Sequence, residues 1–250
     1  MNPVFPKCRH KPCGIAAALL PFDSKGRICE RAYAHGLRRA KKAGLVNALN
    51  MDTGFGPFLD RKTRTRVLHL AKDVLGPGTP FVAGAFDHPE GPYLHDVEEI
   101  AGLGGTPIFF PSDRWGGFSS RKRLGLLATA AERTDGCLAF ELGEAFGVRG
   151  GLYDPYLLRG VMDCPKILGL KHSSLDPALE LERLALRNRL RPSFRIYTGN
   201  DLCVRMIEHG SDYLLGLASF CPEKFARRDR LWFRGDPAYF ELAEALQVLG

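Results

Sequence analysis

Short apolar runs and longer stretches of helical period alternate eight times along these 250 residues. The runs cover residues 14–20, 46–50, 81–86, 107–111, 137–142, 166–171, 195–199 and 213–217. The helical stretches between and after them span 29–43, 60–75, 93–103, 119–133, 153–162, 177–190, 201–209 and 222–234. Strands that alternate with helices pair in parallel through right-handed crossovers. Two architectures satisfy that rule, a closed barrel and an open doubly wound sheet. The open sheet announces itself by a glycine-rich phosphate turn after its first strand. Here the first run ends in Leu20-Pro21-Phe22-Asp23, which has no such turn. Eight evenly spaced units therefore predict an α/β fold of the (β/α)8 TIM-barrel type.

Local signals agree. Asp154-Pro155 and Asp176-Pro177 place an N-cap before a first-turn proline, and Pro222-Glu223 reads similarly. Gly44, Gly76 and Gly210 stand where helices should stop. A ninth segment, 236–250, has helical pattern and begins Asp236-Pro237. The expected organisation is one barrel over 1–235 followed by 236–250 as the start of a C-terminal helical segment, short or truncated. With 45% of its residues apolar, a chain of this length can bury such a core without staples.

Composition narrows the function classes. The formal charge is +7, but the basic residues are dispersed over predicted helices beside apolar positions, as on a solvated face. That favours anionic metabolites over nucleic acid as partners. Seven cysteines, an odd number without recurring paired spacing, suit reduced thiols and a cytoplasmic protein. Cys8, His10 and Cys13 resemble half a metal site and lack a second ligand pair. Lys7 to Lys11 followed by the apolar 14–22 imitates a signal peptide, yet Asp23-Ser24-Lys25-Gly26 reads as a turn and not as a cleavage site. No stretch approaches the ~20 apolar residues of a membrane span.

In such barrels chemistry gathers at the C-terminal ends of the strands. Those ends carry Asp52 and Thr53 after the second run, Phe140-Glu141 and then Glu144 at the fifth, Lys171-His172-Ser173-Ser174 at the sixth, Gly199-Asn200-Asp201 after the seventh, and Ser219 after the eighth. Lys171 is the most informative, because a cation closing an apolar strand is expensive. Desolvation lowers a lysine pKa, and a neutral amine attacks carbonyl carbon. The iminium formed is an electron sink that permits C–C cleavage, aldol addition or loss of water. The alternative is a lysine that pairs with Asp52, Glu141 or Asp201 to hold strand ends together.

Ile167 to Ser174, Tyr197-Thr198-Gly199-Asn200-Asp201 with Gly210-Ser211-Asp212, Met51-Asp52-Thr53-Gly54-Phe55 with Leu59-Asp60 and Arg64, and the opening 14–22 together resemble the dihydrodipicolinate synthase/N-acetylneuraminate lyase family of class I aldolases, over nearly the whole length. The resemblance implies the same barrel, a helical C-terminal region and assembly as a homo-oligomer, dimer or tetramer. It implies that Lys171 forms a Schiff base and that no cofactor or metal is needed, since the imine is the electron sink. It also exposes departures. Asp52 stands where the family has the first of two threonines that grip pyruvate's carboxylate, while Thr53 keeps the second place. Two carboxylates at ~4 Å repel by about 1 kcal/mol in water and about 4 at an effective dielectric of 20. Asp52 is therefore expected to meet a substrate hydroxyl or amine, or else to cap the adjoining turn. Phe140 and Glu141 stand where the family has a proton-relaying tyrosine, and Ala145-Phe146 where it has an arginine. Glu141 is a candidate proton carrier if a bulge or strand end re-aims it. His172, Glu144 and Tyr197 are further candidates. Trp115 stands where the family has aromatics that reach a neighbouring subunit, or it is a surface-loop aromatic.

The expected activity is thus that of a Schiff-base carbon–carbon lyase acting on a small 2-oxo acid or related carbonyl compound. Lys171, Glu141 and His172 are the catalytic candidates. Asp52, Thr53, Phe140, Ser173, Gly199, Asn200 and Asp201 are the substrate-binding candidates. The alternatives are a dehydratase or hydratase using the same imine, and a catalytically silent ligand-binding barrel. Asp87-His88 with His95, Gly54-Phe55-Gly56 and Gly150-Gly151 are weak metal or phosphate signals. No nucleophile elbow or Walker motif occurs.

Overall fold

Each of the eight apolar runs forms a strand. The computed structural model describes residues 9–88, 93–146 and 151–250. In order the strands are β1 (Gly14–Ala17), β2 (Val46–Leu49), β3 (Phe81–Ala85), β4 (Thr106–Phe109), β5 (Cys137–Leu142), β6 (Ile167–Ser173), β7 (Arg195–Thr198) and β8 (Asp212–Leu215). All pair in parallel with their sequence neighbours, and β1 pairs with β8 to close the barrel. The helices are α1 (Glu30–Ala43), α2 (Arg61–Leu75), α3 (Leu94–Gly102), α4 (Ser120–Ala131), α5 (Pro155–Asp163), α6 (Pro177–Leu190), the short α7 (Leu217–Phe220), α8 (Pro222–Arg234) and α9 (Ala238–Leu249).

Side chains along each strand alternate between the barrel interior and the helix layer. The inward set forms one apolar cluster that includes Ile15, Ala17, Ala48, Val82, Ile108, Leu138, Phe140, Tyr197 and Leu214. The outward set packs under the helices with residues such as Leu37, Val67, Val97, Leu127 and Val161. Helix starts follow the sequence signals. Asp60, Asp154 and Asp176 accept hydrogen bonds from the amides of Thr63, Leu157 and Ala178, and Pro155 and Pro177 open α5 and α6. Gly44 ends α1 in the left-handed region, at φ 91°.

Boundaries differ where pairing runs out. β1 stops at Ala17 and not at residue 20, because beyond Ala18 the chain turns outward and Leu19 is exposed. β6 runs two residues past Lys171, since His172 and Ser173 still pair with Glu141 and Leu142 of β5. The expected helix 201–209 is a 3-10 segment, Asp201–His209, with non-helical angles at Cys203. Its irregular amides are met from outside the segment. Asn200 accepts from the amide of Leu202, and the side-chain oxygen of Gln247 in α9 accepts from that of Val204.

The ninth segment is helix α9, whose Tyr239, Ala243 and Leu246 pack in one cluster with Phe225 and Trp232 of α8. Several expected surface charges are paired, as in Arg39–Glu223 and Arg66–Glu30. All six described cysteines are free thiols. Cys8, Lys7 and Gly150 lie outside the described residues. Among the described residues no helix is long and apolar enough to cross a membrane, and no three potential ligands cluster to hold a metal ion.

Candidate active site

A cavity of about 600 Å³ opens at the C-terminal ends of the strands, and Lys171 reaches into it from β6. Inward parity puts the lysine above the apolar interior. Its ammonium lies 4.1 Å from the centroid of the Phe140 ring, its strand neighbour across β5. Phe110 meets Phe140 edge-on at 5.1 Å, and Phe86 stacks on Phe110 at 4.8 Å, so an aromatic floor lies beneath the amine. The side chain of Lys171 is only 9% exposed, and its nearest anion is Asp52 Oδ2 at 4.0 Å. Burial lowers the Lys171 pKa, and Asp52 and Asp201 oppose that shift without cancelling it. More of this amine is neutral at a given pH than of a lysine in water.

Asp52 and Thr53 sit on a 3-10 turn, Asp52–Gly54, that follows β2. Asn50 before it and Phe55 after it hold φ values of 51° and 58°, which tip the turn over the barrel mouth. The turn is held by backbone carbonyls: Met51 O accepts from the amides of Gly54 and Gly56, and Asp52 O from that of Phe55. Both Asp52 and Thr53 line the cavity, with Ser173, Gly199 and Asp201. The hydroxyls of Thr53 and Ser173 are buried without a hydrogen-bond partner. Gly199 packs against the lysine itself. A Cβ built there would overlap Ser173 Oγ and lie 2.7 Å from Lys171 Cε. Asp201 Oδ1 accepts a hydrogen bond from the amide of Leu217, and burial pushes its carboxyl pKa up.

Two of the three expected catalytic groups face the other way. Glu141 and His172 are the residues next to Phe140 and Lys171, so strand parity turns both toward the helix layer. The β5–β6 register does shift, but at Cys137/Leu138, upstream of this stretch, so the parity of 140–142 is kept. Glu141 is fully buried. Its carboxylate accepts from Arg183 Nε and Nη2, from the amide of Tyr153, and lies 2.6 Å from His172 Nδ1. His172 Nε2 lies 2.7 Å from Ser174 Oγ. Burial raises the Glu141 pKa, but its bonds to His172 and Arg183 outweigh burial and hold it below the usual carboxylate range. This hydrogen-bonded cluster joins β5, β6 and α6 behind the site.

Other expectations change with it. Asn200 is buried and caps the Asp201–His209 segment, so it supports the site from behind the cavity wall. Phe140 is the floor under the amine and does not line the open cavity. The Tyr197 hydroxyl lies beside the Cys13 thiol, and burial raises its pKa. Glu144 is exposed and faces a separate groove with Gly143 and Leu175. Trp115 is fully buried against Tyr93 and Tyr153 and is a core residue, not a surface aromatic. Asp87 pairs with Ser112 and Arg114, His88 with Asp96, and His95 with Arg61, so these are separate pairs and not one ligand set. Leu142, Phe58, Asp113, Phe146 and Leu214 also line the cavity and were not anticipated. Of these, Leu142 was legible as two residues beyond inward Phe140.

No family profile matches the chain. Individual sequences do. The 4-hydroxy-tetrahydrodipicolinate synthase of Porphyromonas gingivalis is 23% identical over 240 residues, covering 94% of this chain and 78% of that protein. The enzyme of the same name from Synechococcus sp. strain WH7803 is 26% identical over 239 residues, covering 90% and 74%. Over most of its length the chain is thus similar in sequence to dihydrodipicolinate synthases, and it shares their barrel fold. Its fold agrees with that of the dihydrodipicolinate synthase of Thermotoga maritima at a TM-score of 0.82 and 18% identity, covering 96% of this chain and 82% of the other. It also agrees with that of an E. coli K12 prophage protein of the dihydrodipicolinic acid synthase family in complex with pyruvate. There the TM-score is 0.85 at 16% identity, covering 94% and 80%. Phe140 lies under the lysine, and Asp52 and Thr53 stand side by side on the turn at the cavity mouth.

Proposed function

We propose that this barrel is a carbon–carbon lyase of the class I aldolase type, which forms an imine between Lys171 and the carbonyl carbon of a small 2-oxo acid. The observation that carries the reading is the lysine's setting. It is a buried amine over a phenyl ring, with a lowered pKa, at the inner end of a cavity of about 600 Å³. A lysine kept only to hold strand ends together would be expected in hydrogen-bond contact with a carboxylate, whereas its ion pair with Asp52 spans 4.0 Å, beyond hydrogen-bond reach. The iminium that replaces the ammonium keeps the positive charge where the ring already favours it.

Thr53 and Ser173 are the substrate's anchors in this reading. Each buries a hydroxyl without a partner, at a cost of ~1–3 kcal/mol that a bound acceptor would remove. A carboxylate next to the carbonyl carbon supplies such acceptors. Asp201 lies on the same wall, and its raised pKa weakens its repulsion of an anionic substrate. Gly199 leaves room for the lysine to swing toward the carbonyl. Pyruvate, with which the E. coli prophage protein is in complex, has the size and charge that this cavity suits.

The test is borohydride reduction with a panel of 2-oxo acids and aldehydes, followed by peptide mass spectrometry. The expected result is one stoichiometric adduct on Lys171 with a 2-oxo acid, absent from Lys171→Ala. No adduct with any carbonyl compound would overturn the reading. Product analysis then separates the lyase from a dehydratase on the same imine, since a dehydratase retains every carbon of its substrate.

A further inference from the structure

We propose that Asp52 is the proton carrier for imine chemistry at Lys171. The inference rests on the imine reading and says which group moves the protons that reading requires. Imine formation needs a group that removes a proton from the ammonium and later delivers one to the departing hydroxyl. The place beneath the amine is filled by Phe140, which carries no labile proton. Glu141 and His172 are bound to Arg183 and Ser174 on the outer face of the sheet, away from the cavity. The Tyr197 hydroxyl lies beside Cys13. Asp201 holds one carboxylate oxygen on the Leu217 amide. Asp52 is the acid that the structure pairs with Lys171, at 4.0 Å. At that separation one carbonyl oxygen, placed to the side of the line joining them, can come within hydrogen-bond reach of both groups. Its side chain is 49% exposed, so its proton can exchange with water. Among the described residues its turn is held by backbone hydrogen bonds, so the carboxylate is not needed for shape.

The step balances as follows. Asp52 takes one proton from the Lys171 ammonium. The neutral amine's electron pair forms the N–C bond as the C=O π pair moves to oxygen. Asp52's proton passes to that oxygen, and the nitrogen returns one of its protons to Asp52, giving a neutral carbinolamine. Asp52 then protonates the hydroxyl, the C–O bond breaks, and water leaves. The products are the iminium, one water and the Asp52 carboxylate, with no oxidant or reductant required.

Two other roles for Asp52 give different results in one experiment. A purely electrostatic role raises the lysine's proton affinity, so Asp52→Asn would speed attack at neutral pH. A role in binding a distal substrate hydroxyl would leave reaction with pyruvate unchanged, because pyruvate has none. A proton carrier predicts slower attack. The measurement is the rate of borohydride-trapped adduct formation with pyruvate, or with the smallest 2-oxo acid the wild type traps, at saturating ligand. We expect Asp52→Asn to be slower by about 100-fold, the usual scale of general acid–base assistance. We expect Asp52→Ala to be slowed similarly and to recover at least tenfold with added formate, with thermal unfolding of both variants near wild type. Trapping by Asp52→Asn at or above the wild-type rate would overturn the proposal while leaving the imine reading intact. A wild type that traps no carbonyl compound would overturn both.

Discussion

At the scale of single residues, the site places a cation where water cannot reach it well, and this should show in stability as well as in reactivity. Burial lowers the Lys171 pKa relative to the unfolded chain. For a base, that sign means the folded state is penalised at low and neutral pH, where the unfolded chain holds the proton more tightly. The penalty shrinks as pH rises from the lowered folded pKa toward the ordinary lysine range near 10.5 and is gone above it. Lys171→Met should therefore abolish trapping while raising Tm at pH 7 by ~2–4 °C, the effect of ~1 kcal/mol in a chain of this size. Thermal scans from pH 7 to 10 should show the gain fading. A Tm below wild type at pH 7 would mean that the lysine's contacts outweigh its desolvation. Gly199 makes the complementary case. An added methyl meets Ser173 Oγ and the Lys171 side chain, so Gly199→Ala should cost ~1–3 kcal/mol by overpacking and slow adduct formation by about tenfold or more. A variant with wild-type trapping kinetics would show that the lysine reacts from another rotamer.

At the scale of elements, one strand pair separates chemistry from support. β5 and β6 present Phe140, Leu142, Lys171 and Ser173 inward, and Glu141 and His172 outward to Arg183 of α6. Removing the anion leaves the buried guanidinium of Arg183 with only the exposed Glu182, at 3.6 Å, among its described counter-charges, and breaking such a buried pair typically costs about 3–5 kcal/mol. Glu141→Gln should thus lower Tm by roughly 6–20 °C, yet trap a carbonyl ligand within a few-fold of wild type at temperatures where it stays folded. Loss of trapping in a folded variant would place Glu141 in the chemistry after all. The low Glu141 pKa sets the pH sign: its stabilisation is complete above the unfolded value of 4.5 and is lost as pH falls through the lowered folded value. Acid unfolding should start at higher pH in Glu141→Gln. The same strands show what was legible in the sequence. The apolar run 137–142 matches β5 residue for residue, because pairing with β6 spans all of it. The inward place of Lys171 followed from an apolar strand ending in a charge. The outward place of Glu141 followed from parity, and only a bulge beside it, not one at Cys137/Leu138, would have reversed it. Phe58, Asp113 and Phe146 were not legible as cavity residues. They come from short helical turns after β2, β4 and β5, whose direction depends on loop geometry and not on period.

At the scale of the whole molecule, the C-terminal helix belongs to the site's support although none of its residues lines the cavity. The segment Asp201–His209 leaves the barrel mouth as an irregular 3-10 helix, and α9 lies across it. Gln247 bridges two of its backbone groups, accepting from the Val204 amide and donating to the Leu202 carbonyl. Tyr239 donates to Glu208, at 2.8 Å, and Leu246 packs in the cluster that holds Val204 and Ile207. Asp201 opens that segment, so the clasp fixes where its carboxyl enters the cavity. Two substitutions should separate packing from positioning. Leu246→Ala deletes buried apolar volume and should cost ~2–5 kcal/mol, a Tm drop of roughly 5–20 °C, with ligand binding little changed below the transition. Gln247→Ala removes two hydrogen bonds at a smaller cost of ~1–3 kcal/mol. It should nevertheless weaken binding of the trapped 2-oxo acid by several-fold, because the backbone that follows Asp201 loses its clasp while the Leu217 amide alone still holds the carboxylate. Ligand titration by intrinsic fluorescence at 20 °C measures both. If Leu246→Ala weakens binding more than Gln247→Ala, the helix acts through bulk stability and the clasp has no separate role.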